Sequence, residues 1–270
     1  MVGQWMRLNR LFSQGERAVV VSATDDEFIG PAATQMAVPE VTRDLADADA
    51  ILLSPGILRH CGHAFDYRGA PLAIVRLDWH TACCSAANYD HAGAAEVVSP
   101  RRALAMGADL VLATLSLTQT DAAADTAVIA MFSRFAHEKR ECGLPLLGEL
   151  HPPGAANMVA EQLFEQVHVG CRILAELGAD AVIGIFTGER FAETVDACPV
   201  PVLATTQNPA IEQRDALQLA YQAVKAGARG VVFGPQVTGA PNRSAFLAAL
   251  NAVVKQETDP DVAAEQFTIR

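Results

Sequence analysis

The stretch PLLGELHPPG, Pro145 to Gly154, sets a carboxylate and an imidazole two residues apart, Glu149 and His151, where an apolar run ends. PLAIVRLDWH repeats the spacing with Asp78 and His80. Residues two apart on an extended segment face the same way, so each pair can address one ligand. Two imidazoles and two carboxylates are a donor set for a divalent ion (Mn2+, Zn2+, Co2+ or Mg2+), with Asp78, His80, Glu149 and His151 as the ligands. Without an ion the same groups carry protons, and His151 becomes a general acid or base. Each pair alone also fits a plainer description, a loop carboxylate beside a hydrogen-bonded surface histidine.

The elements that must position these groups are legible as eight short apolar runs. They are RAVVVSA, ADAILLS, PLAIVRL, GADLVLATL, LPLLG, GADAVIGIF, VPVLATT and ARGVVFG. Their apolarity is continuous rather than alternating, as in strands buried on both faces of a parallel sheet. Between them run helical patterns, clearest in DAAADTAVIAMFSRFAHEKREC, NMVAEQLFEQVHVGCRILAELG and EQRDALQLAYQAVKAG. Gly107, Gly178 and Gly227 stand where helices end before the next strand. Eight such repeats in 270 residues predict an α/β fold, a (β/α)8 TIM barrel forming one domain over 1–270. A doubly wound open sheet is the alternative, but no GxGxxG follows the first strand. MRLNRLFSQG predicts an extra N-terminal helix, and residues 256–270 read as a polar tail, loose or packed on a neighbouring subunit.

Barrel chemistry sits at the C-terminal ends of strands and draws on several of them. Those ends offer Asp25 and Asp26 as further bases or ligands, and Trp79, Thr187, Gln207 and Gln236 as substrate contacts. They offer no lysine: Lys139, Lys225 and Lys255 all fall in helical patterns, which argues against a Schiff base. Cys83 and Cys84 lack a nucleophile motif and read as filler, and His91 reads as a loop residue. His60, His63, His137 and His168 read as surface or structural.

The bulk composition agrees with a small-molecule enzyme. Hydrophobic residues make up 51% and charged residues 19%, enough for a large core. A net charge of −11 argues against a nucleic-acid or anionic-membrane partner. Six cysteines without a CxxC pair, no secretory leader and no spanning apolar run predict reduced thiols and a cytoplasmic protein.

In order along the chain, RLNRLFSQGERAVVV, DAILLSPGIL, ALAMGADLVLATL, LAELGADAVIGIFTGE, CPVPVLATT and AVKAGARGVVFGPQV resemble the class I aldolases of the archaeal fructose-bisphosphate aldolase type, the DhnA or DeoC/LacD-like family. The resemblance implies a barrel assembled as a homo-oligomeric ring. It places the family's imine lysine at Ile183, its Asp-His after the first strand at Thr24 and Asp25, and its acid/base positions at Glu149 and His151. The phosphate-cradling Gly-Gly falls on Thr206 and Gln207, and the Gly-Arg-Asn of the eighth strand on Gly234, Pro235 and Gln236.

The scaffold is therefore kept while the lysine is replaced, and three functions follow. One is a metal-assisted aldolase-like lyase acting on a polar hydroxy-carbonyl, sugar-derived substrate through an enolate. Another is a metal-free acid/base lyase or isomerase using Glu149 and His151, with Asp78 orienting a residue or the substrate. The third is a noncatalytic binding protein, for which a mouth so dense in carboxylates and imidazoles is unexpected.

Overall fold

The computed structural model describes residues 2–13, 16–23, 38–81, 93–208 and 210–269. All eight apolar runs form strands. They are β1 (Ala18–Ser22), β2 (Ala50–Leu53), β3 (Leu72–Arg76), β6 (Leu110–Leu115), β7 (Leu146–Leu150), β8 (Ala181–Ile185), β9 (Val202–Thr205) and β10 (Gly230–Phe233). They close into a parallel barrel in that order, with β10 pairing β1. Between β3 and β6 lies a ribbon that the sequence did not signal: β4 (Asp78–His80) pairs antiparallel with β5 (Ala94–Glu96). The helices are α1 (Val2–Leu11), α2 (Val38–Val41), α3 (Pro55–Leu58), α4 (Pro100–Ala105), α5 (Ala122–Cys142), α6 (Ala160–Leu177), α7 (Phe191–Ala197), α8 (Gln213–Lys225), α9 (Pro235–Thr238), α10 (Arg243–Gln256) and α11 (Pro260–Gln266). None of the described helices is long and apolar enough to cross a membrane.

Strand period divides each run between two cores. Ala18, Val20, Leu52, Ile74, Leu112, Leu147, Ile183, Leu203 and Val232 fill the barrel interior, while the alternate residues pack under the surrounding helices. The base of the interior is closed by α1, the expected N-terminal helix, whose Leu11 is fully buried against this inner core. Polar contacts fasten α1 there. Gln4 Nε2 donates to Asp180 at 2.6 Å, Arg7 to the Gly143 carbonyl at 2.9 Å, and Arg10 pairs with Asp109 at 3.0 Å.

The aspartates that precede β2, β6 and β8 explain the recurring Ala-Asp before apolar runs. Asp49, Asp109 and Asp180 each accept the backbone N–H of the neighbouring strand's opening, from Val19, Ala73 and Leu146. Such bonds satisfy donors that the ladder leaves over at the barrel's lower rim. Gly107, Gly178 and Gly227 take φ of 100°, 106° and 94°, the left-handed conformation expected where these helices stop.

The C-terminal segment, expected as a polar tail either loose or packed on a neighbouring subunit, forms the helix α11 (Pro260–Gln266). Asp259 caps α11 by accepting from Asp261 and Val262 N–H, and Pro260 opens the helix. Ala263 and Ala264 are buried in the outer core of the same chain, where small side chains let α11 approach closely.

Candidate functional site

Above the apolar layers, one further step along the strands changes the chemistry of the interior. The inward parity of β1, β2, β3, β6, β7 and β9 brings up Ser22, Ser54, Arg76, Thr114, Glu149 and Thr205. Three of these lock together. Arg76 Nη1 donates to Thr114 Oγ1 and to Glu149 Oε2, both at 2.8 Å, and Thr114 Oγ1 donates to Glu149 Oε2 at 2.9 Å. The register permits the triangle, since Thr114 pairs directly with Glu149 across β6 and β7. Arg76 is 3% exposed and the Glu149 side chain 20%, so the pair faces the mouth with the carboxylate uppermost in access.

Burial alone would push the Glu149 carboxyl up, but the Arg76 charge and hydrogen bond, joined by His151 and Thr114, hold it below the usual carboxylate range. Glu149 is thus an anion at neutral pH and no proton donor. A carboxyl with a lowered pKa stabilises the fold above its ordinary value, about 4.3, and that contribution is lost as pH falls through the lowered value. The expected result is that wild-type thermal stability drops with acid below about pH 4.3, while Glu149→Gln, less stable at neutral pH, shows a flatter acid limb in the same melts.

Thr114 also ties in the other pair. Its backbone N–H donates to Asp78 Oδ2 at 2.8 Å, and the same oxygen lies 3.0 Å from His80 Nε2. Asp78 and His80 are both buried, 1% and 2% exposed. With Nε2 donating to the carboxylate, Asp78 holds the imidazole in one orientation. The two sequence pairs therefore meet on one threonine, from opposite sides.

This arrangement does not suit the divalent ion expected at Asp78, His80, Glu149 and His151. Asp78 Oδ2 and Glu149 Oε2 are taken by N–H and O–H donors and a guanidinium sits against Glu149 where a cation would be needed, while Asp78 Oδ1 is buried with no hydrogen-bond partner among the described residues. No group of three or more His, Cys, Asp or Glu side chains capable of holding a metal gathers among the described residues. Metal ligation by these four residues therefore finds no support among the described residues, where an arginine and a divalent cation would compete for the same anion.

His151 follows β7, its backbone N–H donating to the Leu115 carbonyl at 3.0 Å, and its charge acts on Glu149. Trp79 lies on the β4–β5 ribbon, half-buried. Thr187 stands after β8 with its hydroxyl buried and without a hydrogen-bond partner among the described residues, Gln207 is exposed after β9, and Gln236 is buried at the start of α9. Thr24, Asp25, Asp26, Cys83, Cys84 and His91 lie outside the described residues.

Sequence reasoning missed Arg76 and Thr114. Both sit inside apolar runs, and the available signal was parity, since each follows two inward residues at spacing two. The lysines are far from the triangle. Lys139 and Lys255 pair with Asp180 and Asp49 at the barrel base, and Lys225 pairs with Glu257 outside it. Burial lowers the basicity of Lys139, with Asp180 opposing, but this amine is at the wrong end of the strands for mouth chemistry. The position aligned with an imine lysine, Ile183, is fully buried in the apolar interior beside Glu149 in register.

Residues 21–237 match the family model described as DeoC/LacD family aldolase. An uncharacterized aldolase from Saccharolobus solfataricus is 24% identical over 96% of this chain and 97% of its own. The 2-amino-3,7-dideoxy-D-threo-hept-6-ulosonate synthase of Halobacterium salinarum is 28% identical over 97% of this chain and 95% of its own. Among solved structures, an archaeal fructose 1,6-bisphosphate aldolase superposes with a TM-score of 0.78 at 23% identity, covering 94% of this chain and 99% of that one.

Proposed function

Because the chain belongs to the DeoC/LacD family of aldolases, we propose that it is a carbon–carbon lyase of a sugar-derived hydroxy-carbonyl compound, working by proton transfer without a lysine imine and without a metal ion. The observation that carries this reading is the Arg76–Thr114–Glu149 triangle in the mouth of a barrel whose three lysines pair elsewhere. The names of the relatives, a heptulosonate synthase and a fructose-bisphosphate aldolase, support a sugar-like carbonyl substrate.

In the cleavage direction a base takes the proton of the hydroxyl on the carbon β to the carbonyl. The bond between the α and β carbons breaks, an aldehyde leaves, and the electron pair passes through the α carbon to the carbonyl oxygen as an enolate. The α carbon is then protonated. His151, whose charge acts on the Glu149 anion, is assigned the proton transfers. Arg76 keeps Glu149 ionised and adds positive potential where enolate charge develops. His80, held by Asp78, and Asp25 or Asp26 are the further proton carriers. Trp79, Thr187, Gln207 and Gln236 line the substrate side. Val2, Trp5 and Met6, left exposed on α1, support the self-association that the family resemblance implies.

Borohydride tests the reading. Incubation with sodium borohydride and a cleavable hydroxy-ketone leaves full activity and adds no mass, because no amine forms an imine to reduce. Inactivation with a lysine adduct would sink the imine-free mechanism, and loss of activity on dialysis against a chelator, restored by a divalent ion, would sink the metal-free one.

A further inference from the structure

Ser116 stands one inward step beyond Thr114, just past the end of β6. Leu115 before it belongs to the outer core and Leu117 after it packs against that core, so strand parity turns Ser116 toward the mouth. The register sets it beside the strand that carries Glu149 and His151. Leu115 pairs with Leu150 across β6 and β7, and His151 N–H donates to the Leu115 carbonyl at 3.0 Å, so Ser116 and His151 each follow a paired residue. Ser116 is 5% exposed, yet its hydroxyl has no hydrogen-bond partner among the described residues.

A second orphan flanks the same strand. Asp78 Oδ2 accepts from Thr114 N–H at 2.8 Å and lies 3.0 Å from His80 Nε2, whereas Asp78 Oδ1 is buried and unbonded among the described residues. Thr114 and Ser116 are two residues apart, about 6.6 Å along a strand, so both orphans belong to one corner of the mouth. Leaving such atoms dry and unpaired costs stability, most of all for a carboxylate oxygen. Packing gives no reason for it, since alanine at 116 would fill nearly the same place without a hydroxyl to satisfy.

The two atoms are complementary toward one ligand group. A carboxylate oxygen only accepts, while the serine hydroxyl donates or accepts. An alcohol between them donates to Asp78, accepts from Ser116 and satisfies both. A methyl group satisfies neither, and an anion is repelled by the carboxylate. This corner therefore suits a hydroxyl-bearing carbon and leaves any charged group of the substrate to other loops.

We propose that Ser116 and Asp78 Oδ1 form a subsite for one substrate hydroxyl, and that Ser116 sets the preference for it. The proposal rests on the lyase reading for the reaction, while the subsite itself is read from binding without turnover.

The probes are dihydroxyacetone phosphate and dihydroxyacetone, each beside the analogue lacking one hydroxyl, hydroxyacetone phosphate and hydroxyacetone. Calorimetric titration of the wild-type chain should favour the hydroxylated member of at least one pair by about tenfold or more. Ser116→Ala should narrow that preference about threefold or more. It should also melt no lower than wild type, because it removes an unpaired buried hydroxyl. A clear drop in melting temperature means that the hydroxyl is bonded within the protein, and overturns the proposal. So does the absence of a preference in every pair, or a ratio that Ser116→Ala leaves unchanged. Aldol turnover of the same compounds decides the lyase reading separately. A preference in binding without turnover keeps the subsite and defeats that reading, and turnover with an unchanged ratio does the reverse.

Discussion

Arg76→Met lowers kcat/KM for the aldol cleavage by about 10²–10³, the range seen when one donor aimed at developing oxyanion charge is removed. It also costs about 3–5 kcal/mol of stability, because Glu149 is left as a buried anion without its cation. The two effects must be separated. Replacing both partners, Arg76→Met with Glu149→Leu, removes the stranded charge and recovers most of the stability. Activity does not return in the double variant, since neither the guanidinium nor the anion beside His151 is present. Denaturant midpoints and steady-state kinetics on the two single variants and the double variant close the cycle. If activity recovers along with stability, the triangle only holds the barrel together and the catalytic assignment fails. Arg76→Lys is a further discriminator. A lysine carries the charge on a shorter side chain, so its ammonium stops short of the place from which Nη1 alone donates to both Thr114 and Glu149.

The triangle shows where sequence reasoning was strong and where it was blind. Glu149 was found because a carboxylate at the end of LPLLG has no structural reason to be there. Arg76 was hidden by company. In PLAIVRL it looks like the polar edge of a strand, and only the parity shared with Leu72 and Ile74 turns it inward. Thr114 reads as one more β-branched strand residue, yet its backbone and side chain join both polar pairs. The eight strands were legible because parallel strands buried on both faces cannot alternate in polarity. The β4–β5 ribbon was not, since AAE has neither β-branching nor alternation and exists only by pairing with Asp78–His80. The metal expectation finds no support for a related reason. Spacing put carboxylates and imidazoles on common faces but could not say that Arg76 had reached Glu149 first.

Gly230→Ala is expected to cost about 4 kcal/mol or more and to lower the melting temperature by about 8 °C or more. Gly230 opens β10 at φ 137°, a conformation that L side chains rarely adopt. A β carbon there would lie 1.9 Å from the Ala18 carbonyl oxygen and 2.7 Å from the Ala18 nitrogen. Both contacts are backbone, and Ala18 is paired with Gly230 in the register that closes the barrel. No side-chain rotation relieves the clash. Either the β1–β10 seam opens or both strands shift, and a shift moves Ser22 and Gly234 at the other end of the same strands. The loss therefore reaches the mouth as well as the base, so residual activity falls along with the denaturant midpoint. Gly56→Ala is the control. Its added methyl meets nothing within 4 Å, and it lies in the short helix α3, where alanine is preferred to glycine. Its stability should stay within about 0.5 kcal/mol of wild type or rise. If Gly230→Ala melts with Gly56→Ala, the seam tolerates a β carbon, and closure of the barrel does not depend on glycine at this position.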